Sequence, residues 1–150
     1  MPKWVFHHTP GAFTPEEKQQ IACGMTKLYS SVGLPPFYAH AHFFELPPDS
    51  IYAGGEAPSA LTTIAIYHIA RTFDTQEIQD MFFKTLDDIL RPILKPKRIE
   101  WEIGIYEGNR DYWRINGLIP PATGSELEKK WFAANKVTDE EELLKSQPHP

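Results

Sequence analysis

The fold of this chain is decided by residues 62–106, TTIAIYHIARTFDTQEIQDMFFKTLDDILRPILKPKRIEWEIGIY. The first residues of the stretch are β-branched and apolar, which is typical of a buried strand. Residues 74–94 then place apolar side chains at helical spacing, and residues 98–106 alternate between apolar and polar types. The sequence therefore predicts a strand–helix–strand unit, with Asp74 as the cap of its helix.

A similar unit comes earlier in the chain, over about residues 2–46. The aromatic stretch 4–8 predicts a strand, and FYAHAHFFEL at 37–46 alternates as a second strand does. Between them, Thr14 and Glu17 form the pattern of a capping box at the start of a helix. The first unit therefore has the same predicted order of elements as the second.

The two units match when the sequence is shifted against itself by 60 residues. Their predicted strands and helices then coincide in order, length and strand parity, which indicates an internal repeat. The coinciding identical residues include His8 with His68, Phe13 with Phe73, Glu17 with Glu77, Gln19 with Gln79, Leu34 with Leu94 and Pro36 with Pro96.

The repeat predicts an α+β fold in two layers. Each βαβ unit has parallel strands and a right-handed crossover, so two units give a four-stranded sheet with both helices on one face. We expect one domain over residues 1–150, with repeat units at about 2–46 and 62–106 and a C-terminal extension at 107–150. In the extension we predict a short helix near residues 125–135 and a weakly held acidic tail.

The other face of this sheet is predicted to be polar and to lack a covering layer. A two-layer fold needs that face to be polar or covered, and a second copy of the chain would cover it. We therefore expect an oligomer in which these side chains pair across subunits, in preference to binding a metal ion. Strand parity assigns to this face Tyr38, His40, His42, Glu100 and Glu102.

Composition excludes several classes of protein. The formal net charge of −5 and the absence of a basic run argue against a nucleic-acid partner. No apolar stretch has the length of a membrane span, and the single cysteine forms no internal disulfide, so we expect a soluble, cytoplasmic protein. No glycine motif opens a helix as a nucleotide-binding loop does, and no cofactor is predicted.

Pro2 follows the initiator methionine and has two interpretations. It is either an ordinary residue at the start of a strand or, once Met1 is removed, an amino-terminal secondary amine. Such an amine can exchange a proton with a substrate or attack a carbonyl carbon. In an apolar site beside an arginine its pKa would fall toward neutrality, as a general base requires.

The chain resembles the tautomerase superfamily, and within it cis-3-chloroacrylate dehalogenase and its relatives. The resemblance spans about residues 2–133 and combines an amino-terminal proline with the duplicated βαβ unit. The segments that carry it are Pro2, FTPEEK at 13–18, AHAHFFELPPDSIYAGG at 39–55, HIAR at 68–71 and GLIPP…EKKWF at 117–132.

The resemblance implies a trimer and a pocket at the start of the first strand. There Pro2 would act as general acid or base on a small carboxylate, with no cofactor or metal ion. Arg71 matches one of the two arginines that bind the substrate carboxylate in this group, and an arginine fork can hold a carboxylate through two hydrogen bonds.

Several positions depart from the dehalogenase pattern. Asp74 replaces its second arginine, Tyr29 replaces a histidine of the first helix, and Ile103 and Arg114 fall near its two water-activating residues. Arg114 could replace the lost positive charge, and the Tyr29 hydroxyl could either reach the pocket or pack in the core. Another polar group near the pocket could be Glu102, Tyr106, Glu107, Asp111 or Tyr112.

These departures favour tautomerisation of a keto or unsaturated carboxylate over efficient hydration or dehalogenation of a 3-haloacrylate. The alternative is a binding or signalling module with a vestigial pocket, as macrophage migration inhibitory factor suggests for this superfamily. The two hypotheses differ in whether the Pro2 amine is free and has a lowered pKa.

Overall fold

A computed structural model describes residues 1–147 and shows a four-stranded sheet with two long helices packed on one face. The strands are β1 (Pro2–His8), β2 (His40–Glu45), β3 (Leu61–His68) and β4 (Glu100–Glu107). The helices are α1 (Pro15–Ser30), α2 (Gln76–Leu94), α3 (Glu126–Ala134) and α4 (Glu140–Ser146), and Pro36–Tyr38 and Arg110–Tyr112 form single 3-10 turns.

The strands lie in the order β2-β1-β3-β4. Each repeat pairs its own strands in parallel, β1 with β2 and β3 with β4, and the two repeats meet through the antiparallel pair β1–β3. This pairing sets Pro2 opposite His68 at one end of the sheet. The predicted tandem βαβ fold is therefore confirmed.

The core lies between the sheet and the two long helices. Alternate residues of β1 and β3 point into it, because successive strand side chains point to opposite faces. The helices contact each other where Ile89 of α2 packs against Gly24 of α1, and a Cβ at Gly24 would lie 3.1 Å from the nearest atom of Ile89. The largest fully buried side chains are Trp4, Trp131, Tyr38, Phe6, Ile21, Met25, Leu34, Ile66, Leu86, Leu90, Leu94 and Leu118.

The outer face of the sheet, which points away from the helices, carries the predicted polar side chains with one exception. His40, His42, Glu100 and Glu102 are exposed there. The assignment of Tyr38 to this face is wrong. The chain forms a 3-10 turn before β2 begins, and the Tyr38 ring is buried.

The residue predicted to cap α2 is wrong by one position. The cap of α2 is Thr75, whose hydroxyl accepts a hydrogen bond from Ile78 N at 3.3 Å, whereas the side chain of Asp74 accepts one from Thr72. Both residue types cap helices, so the choice depended on one residue of register.

The acidic tail was predicted to be weakly held, and this is wrong for residues 137–147. Glu140–Ser146 among them form α4, whose Leu143 and Leu144 pack against the core, and Gln147 Oε1 accepts a hydrogen bond from Ile119 N at 2.7 Å. Apolar side chains within a charged segment were enough to attach it. The last residues of the predicted tail, 148–150, lie outside the described residues.

We expect Leu86→Ala to lower the free energy of unfolding by about 2–5 kcal/mol, because the fully buried side chain leaves a cavity under the sheet. Met81→Ala on the same helix is the control, since Met81 is 69% exposed and its loss should cost no more than about 0.5 kcal/mol. Urea unfolding followed by circular dichroism measures both. Equal losses would contradict the packing described above.

Candidate active site

The amino terminus lies in a partly enclosed position at the start of β1. Pro2 is buried, and Met1 is half-buried against the core. Burial and, to a smaller extent, the positive charges of Arg110 and Arg71 together lower the pKa of the Met1 amine to about 4. A neutral amine next to two guanidinium groups is therefore the central feature of this end of the sheet.

Arg71 follows β3 and makes its main contacts with the C-terminal extension. Its Nη2 lies 3.3 Å from both carboxylate oxygens of Glu128, and its Nη1 donates to Thr123 Oγ1 at 3.0 Å. The Arg71 fork thus already holds a carboxylate of the same chain.

Glu128 is placed by the start of α3. Ser125 caps that helix and its hydroxyl accepts from Glu128 N, while the Glu128 carboxylate accepts from Gly124 N at 2.7 Å. Glu128 is only 2% exposed. A buried carboxylate needs such partners, because its transfer from water is otherwise costly.

Arg110 lies in the turn after β4 and is the second guanidinium group near the amine. Its Nη2 donates to the backbone oxygens of Pro120 and Pro121, and its Cζ lies 5.6 Å from the centre of the Trp113 ring. Its other terminal nitrogen, Nη1, is buried and has no hydrogen-bond partner among residues 1–147.

Tyr38 packs against the same tryptophan. The Tyr38 and Trp113 rings meet edge to face with centroids 5.0 Å apart, and a similar contact is made with Trp131 at 6.4 Å. Burial and then the nearby Glu128 carboxylate raise the pKa of Tyr38, so it stays a neutral hydroxyl. Within the described chain this hydroxyl has no partner.

His68 lies beside Pro2 on the inner face of the sheet. Its ring stacks on Phe73 at a centroid distance of 4.9 Å, and its Nδ1 is buried without a partner in residues 1–147. Burial lowers the pKa of His68 to about 4, although the Glu107 carboxylate acts in the opposite direction. The imidazole is therefore neutral at physiological pH.

We call these groups the amino-terminal cluster, which consists of Pro2, Tyr38, His68, Arg71, Arg110 and Glu128 around the Met1 amine. Of the residues predicted from the sequence, Pro2 and Arg71 are brought together here.

Tyr29 and Arg114 are placed differently. The Tyr29 hydroxyl accepts a hydrogen bond from Trp4 Nε1 at 3.0 Å, and burial raises the pKa of Tyr29. Tyr29 therefore reaches the cluster through packing against His68, with centroids 5.5 Å apart. Arg114 is exposed and donates to the backbone oxygens of Asp111 and Trp113.

The other polar candidates lie at the edge of the cluster or outside it. Glu107 accepts a hydrogen bond from Phe73 N at 3.0 Å and influences His68. The remaining candidates are exposed on the surface of the chain: Glu102, Tyr106, Asp111 and Tyr112.

Sequence reasoning missed Arg110, Tyr38, His68 and Glu128 as parts of this site. A signal existed for Glu128, because Ser125 and Glu128 have capping-box spacing and mark the start of a helix. Nothing in the sequence indicated that its carboxylate faces Arg71. For Arg110 the partners are carbonyl groups of prolines ten and eleven residues away, which no local pattern predicts.

Comparison with known proteins identifies the family of this chain. Residues 1–136 match the protein family described as "Putative oxalocrotonate tautomerase enzyme". The chain belongs to this family. The predicted membership of the tautomerase superfamily is therefore confirmed, and the family's sequence pattern extends through β4 into α3.

Two crystal structures resemble this tautomerase family member closely. A protein described as a probable enzyme from the thermophilic fungus Aspergillus fumigatus is 43% identical, with a TM-score of 0.88 over 92% of this chain and 96% of that one. RhCC from Rhodococcus jostii RHA1 is 34% identical, with a TM-score of 0.87 over 91% and 98% of the two chains.

A more distant structure shares the fold alone. N1, a member of the cis-3-chloroacrylic acid dehalogenase family, is 20% identical, with a TM-score of 0.65 over 95% of this chain and 99% of that one. No curated protein matches the sequence.

Two further findings apply to residues 1–147 as a whole. No helix in this part of the tautomerase family member combines the length and apolar character that a membrane span requires. The same residues contain no group of three His, Cys, Asp or Glu side chains arranged to hold a metal ion.

The neutral state of His68 predicts a pH dependence of stability. Its folded-state pKa of about 4 lies below the ordinary value of 6.5, so between these values the unfolded chain binds a proton that the folded chain does not. Stability contributed by His68 is present above pH 6.5 and is lost as the pH falls toward 4, with a slope of up to about 1.4 kcal/mol per pH unit.

We expect His68→Phe to reduce that slope, measured by urea unfolding between these pH values. Phe73→Leu removes the stacking partner but keeps the imidazole, and so should retain the slope. An unchanged slope in His68→Phe would show that His68 is not the group responsible.

Proposed function

We propose that this protein is a tautomerase in which the Pro2 amine, freed by removal of Met1, moves a proton on a small keto or unsaturated carboxylate. The observation that carries the proposal is the environment of the amino terminus. An amine there is buried and lies near two guanidinium groups, so its neutral form is favoured at physiological pH.

The same causes would act on Pro2 after removal of Met1. Its nitrogen lies one residue further into β1, opposite His68, where the charges of the same arginines would act on it. A secondary amine that is neutral near pH 7 can accept a proton from carbon, and as an ammonium group it can return one. The ring of proline also restricts the direction of its nitrogen.

The proposed reaction interconverts the enol and keto forms of a 2-oxo acid. In the ketonising direction, the hydroxyl on C2 loses its proton while C3, the other carbon of the enol double bond, gains one, so the net change is a proton moved from oxygen to carbon. Pro2 carries the proton, and the net positive charge of the cluster stabilises the negative charge that develops on the oxygen. Met1, half-buried against the core, marks where the substrate would lie once it is removed.

Hydration or dehalogenation of a 3-haloacrylate is supported less well, since it needs a group that activates water. The two carboxylates in or next to the cluster are already engaged. Glu128 accepts from Arg71 and Gly124 N, and Glu107 accepts from Phe73 N. Arg114, proposed from the sequence as a catalytic group, would act here only if another subunit brought it to the site.

A non-catalytic binding module is the second candidate. It is favoured by the pairing of Arg71 with Glu128, which reduces the charge available to a substrate. A free Pro2 amine without activity would support this alternative.

We further propose that the chain forms a trimer through the outer face of the sheet. Two fused 4-OT structures of this fold are described as trimers, at 22% and 20% identity. In the present chain, Ala65 lies partly exposed at the middle of that face, between β1 and β4, and such a small side chain leaves room for another sheet.

Pro2→Ala should reduce phenylpyruvate tautomerisation by about 10²–10⁴-fold, because the secondary amine that carries the proton is lost. The ketonisation rate is followed by absorbance, with removal of Met1 verified by intact mass in each protein. Pro10→Ala is the matched control, since Pro10 is exposed in the turn after β1. A Pro2→Ala protein with full activity would refute the catalytic proposal.

The mass in solution should be three times the 17.2 kDa of one chain. Ala65→Glu should dissociate the trimer, because it places a carboxylate at the middle of the outer face. Ala133→Glu, at an exposed position of α3, should leave the mass unchanged. Light scattering coupled to size-exclusion chromatography distinguishes these outcomes, and a monomeric wild type would contradict the assembly.

A further inference from the structure

Unpartnered polar atoms are concentrated in the amino-terminal cluster. Five buried side-chain nitrogen or oxygen atoms of residues 1–147 have no hydrogen-bond partner, and three of them are the Tyr38 hydroxyl, His68 Nδ1 and Arg110 Nη1. Buried polar groups are normally hydrogen-bonded, so an unpaired group indicates a role other than stability. Two of the three, Tyr38 and Arg110, are donors that pack on the same Trp113 ring.

Both terminal nitrogens of Arg71, in contrast, have hydrogen-bond partners within the chain. It donates to Ala70 O, Thr123 Oγ1 and both oxygens of Glu128. A ligand carboxylate could reach this guanidinium group only in competition with Glu128, which is also held by Gly124 N. Apart from His68 Nδ1, the free hydrogen-bonding capacity of the cluster therefore lies with Arg110 and Tyr38.

We infer that Arg110 and Tyr38 bind the substrate carboxylate, and that Glu128 restricts the site to monocarboxylates by neutralising Arg71. This inference rests on the proposed function and specifies its substrate class. Arg71 is then a positioning residue, which holds α3 against the end of β3 through Glu128.

The charges of the cluster explain the restriction. The cluster itself, apart from Glu107 at its edge, contains two guanidinium groups and one carboxylate, which leave a single net positive charge for the ligand while the amine and His68 are neutral. One carboxylate of a substrate balances this charge. A second carboxylate would be partly desolvated without a cationic partner and would lie near Glu128, which disfavours binding.

The test compares two acids that differ at one end of the molecule. Crotonate carries a methyl group where fumarate carries its second carboxylate, and neither contains an enol to tautomerise. We expect the full-length chain lacking Met1 to bind crotonate about tenfold or more tightly than fumarate in calorimetric or NMR titrations.

Glu128→Gln should reverse this preference or reduce it at least tenfold, because the cluster gains one net positive charge while an amide of the same shape remains. Glu126→Gln is the matched control on α3, where the carboxylate is exposed and bonded to Lys129. Its crotonate-to-fumarate ratio should equal that of the wild type.

Tyr38→Phe should weaken crotonate binding about tenfold by removing one hydrogen bond to a charged group, and Arg110→Gln should weaken it by roughly 10–100-fold. Tyr52→Phe and Arg98→Gln are the controls, since both residues are exposed and lie outside the cluster. Circular dichroism verifies that each variant is folded, and the wild-type and Tyr38→Phe results stand even if Glu128→Gln fails to fold.

Equal affinities of the wild type for the two acids would overturn the inference, as would unchanged crotonate binding in Tyr38→Phe and Arg110→Gln. These results are separate from the proposed catalysis. Crotonate affinity does not depend on proton transfer, so an inactive Pro2 with intact selectivity would refute the tautomerase proposal and leave the binding assignment in place.

Discussion

The antiparallel pairing of β1 with β3 at the centre of the sheet determines where the site lies. Each βαβ unit has internally parallel strands, so the two units can join edge to edge with their strands in opposite directions. The start of β1 then meets the end of β3. This brings the amino terminus against His68 and close enough to Arg71 for its charge to lower the pKa of the amine. The two units are related by an internal repeat, but they carry different residues at the positions of Pro2 and Arg71.

The C-terminal extension completes the site that the repeat begins. It contributes Arg110, the Trp113 ring, two proline carbonyl groups and Glu128, and Arg110 is one of the two cations that lower the pKa of the buried amine. Enclosure has an electrostatic consequence, since a guanidinium group acts more strongly on its neighbours where water is excluded. Burial and the Arg110 charge therefore act in the same direction and keep the amine neutral.

Local patterns allowed much of the fold to be predicted. The capping box of Thr14 and Glu17 depends on contacts within four residues, and it is present in the structure as expected. Helical spacing in α2 and alternation in β4 likewise reflect which face of an element is buried. One error arose where the local signal was ambiguous, because two neighbouring residues could both cap α2. Another arose where tertiary packing overrode the alternating pattern, because Tyr38 lies before β2 and packs against two tryptophans.

The sequence by itself determined the tandem βαβ architecture, the exposed polar face and Pro2 at the start of the first strand, because periodicity and repeats are encoded by neighbouring residues. Only the tertiary structure decided the charge balance of the site. Arg71 and Glu128 are 57 residues apart in the sequence. Arg110 donates a hydrogen bond to a proline carbonyl oxygen in a later loop, and local sequence preferences do not specify the path of that loop. Contacts of this kind depend on how complete elements pack, and their energies arise from burial, which a linear pattern does not contain.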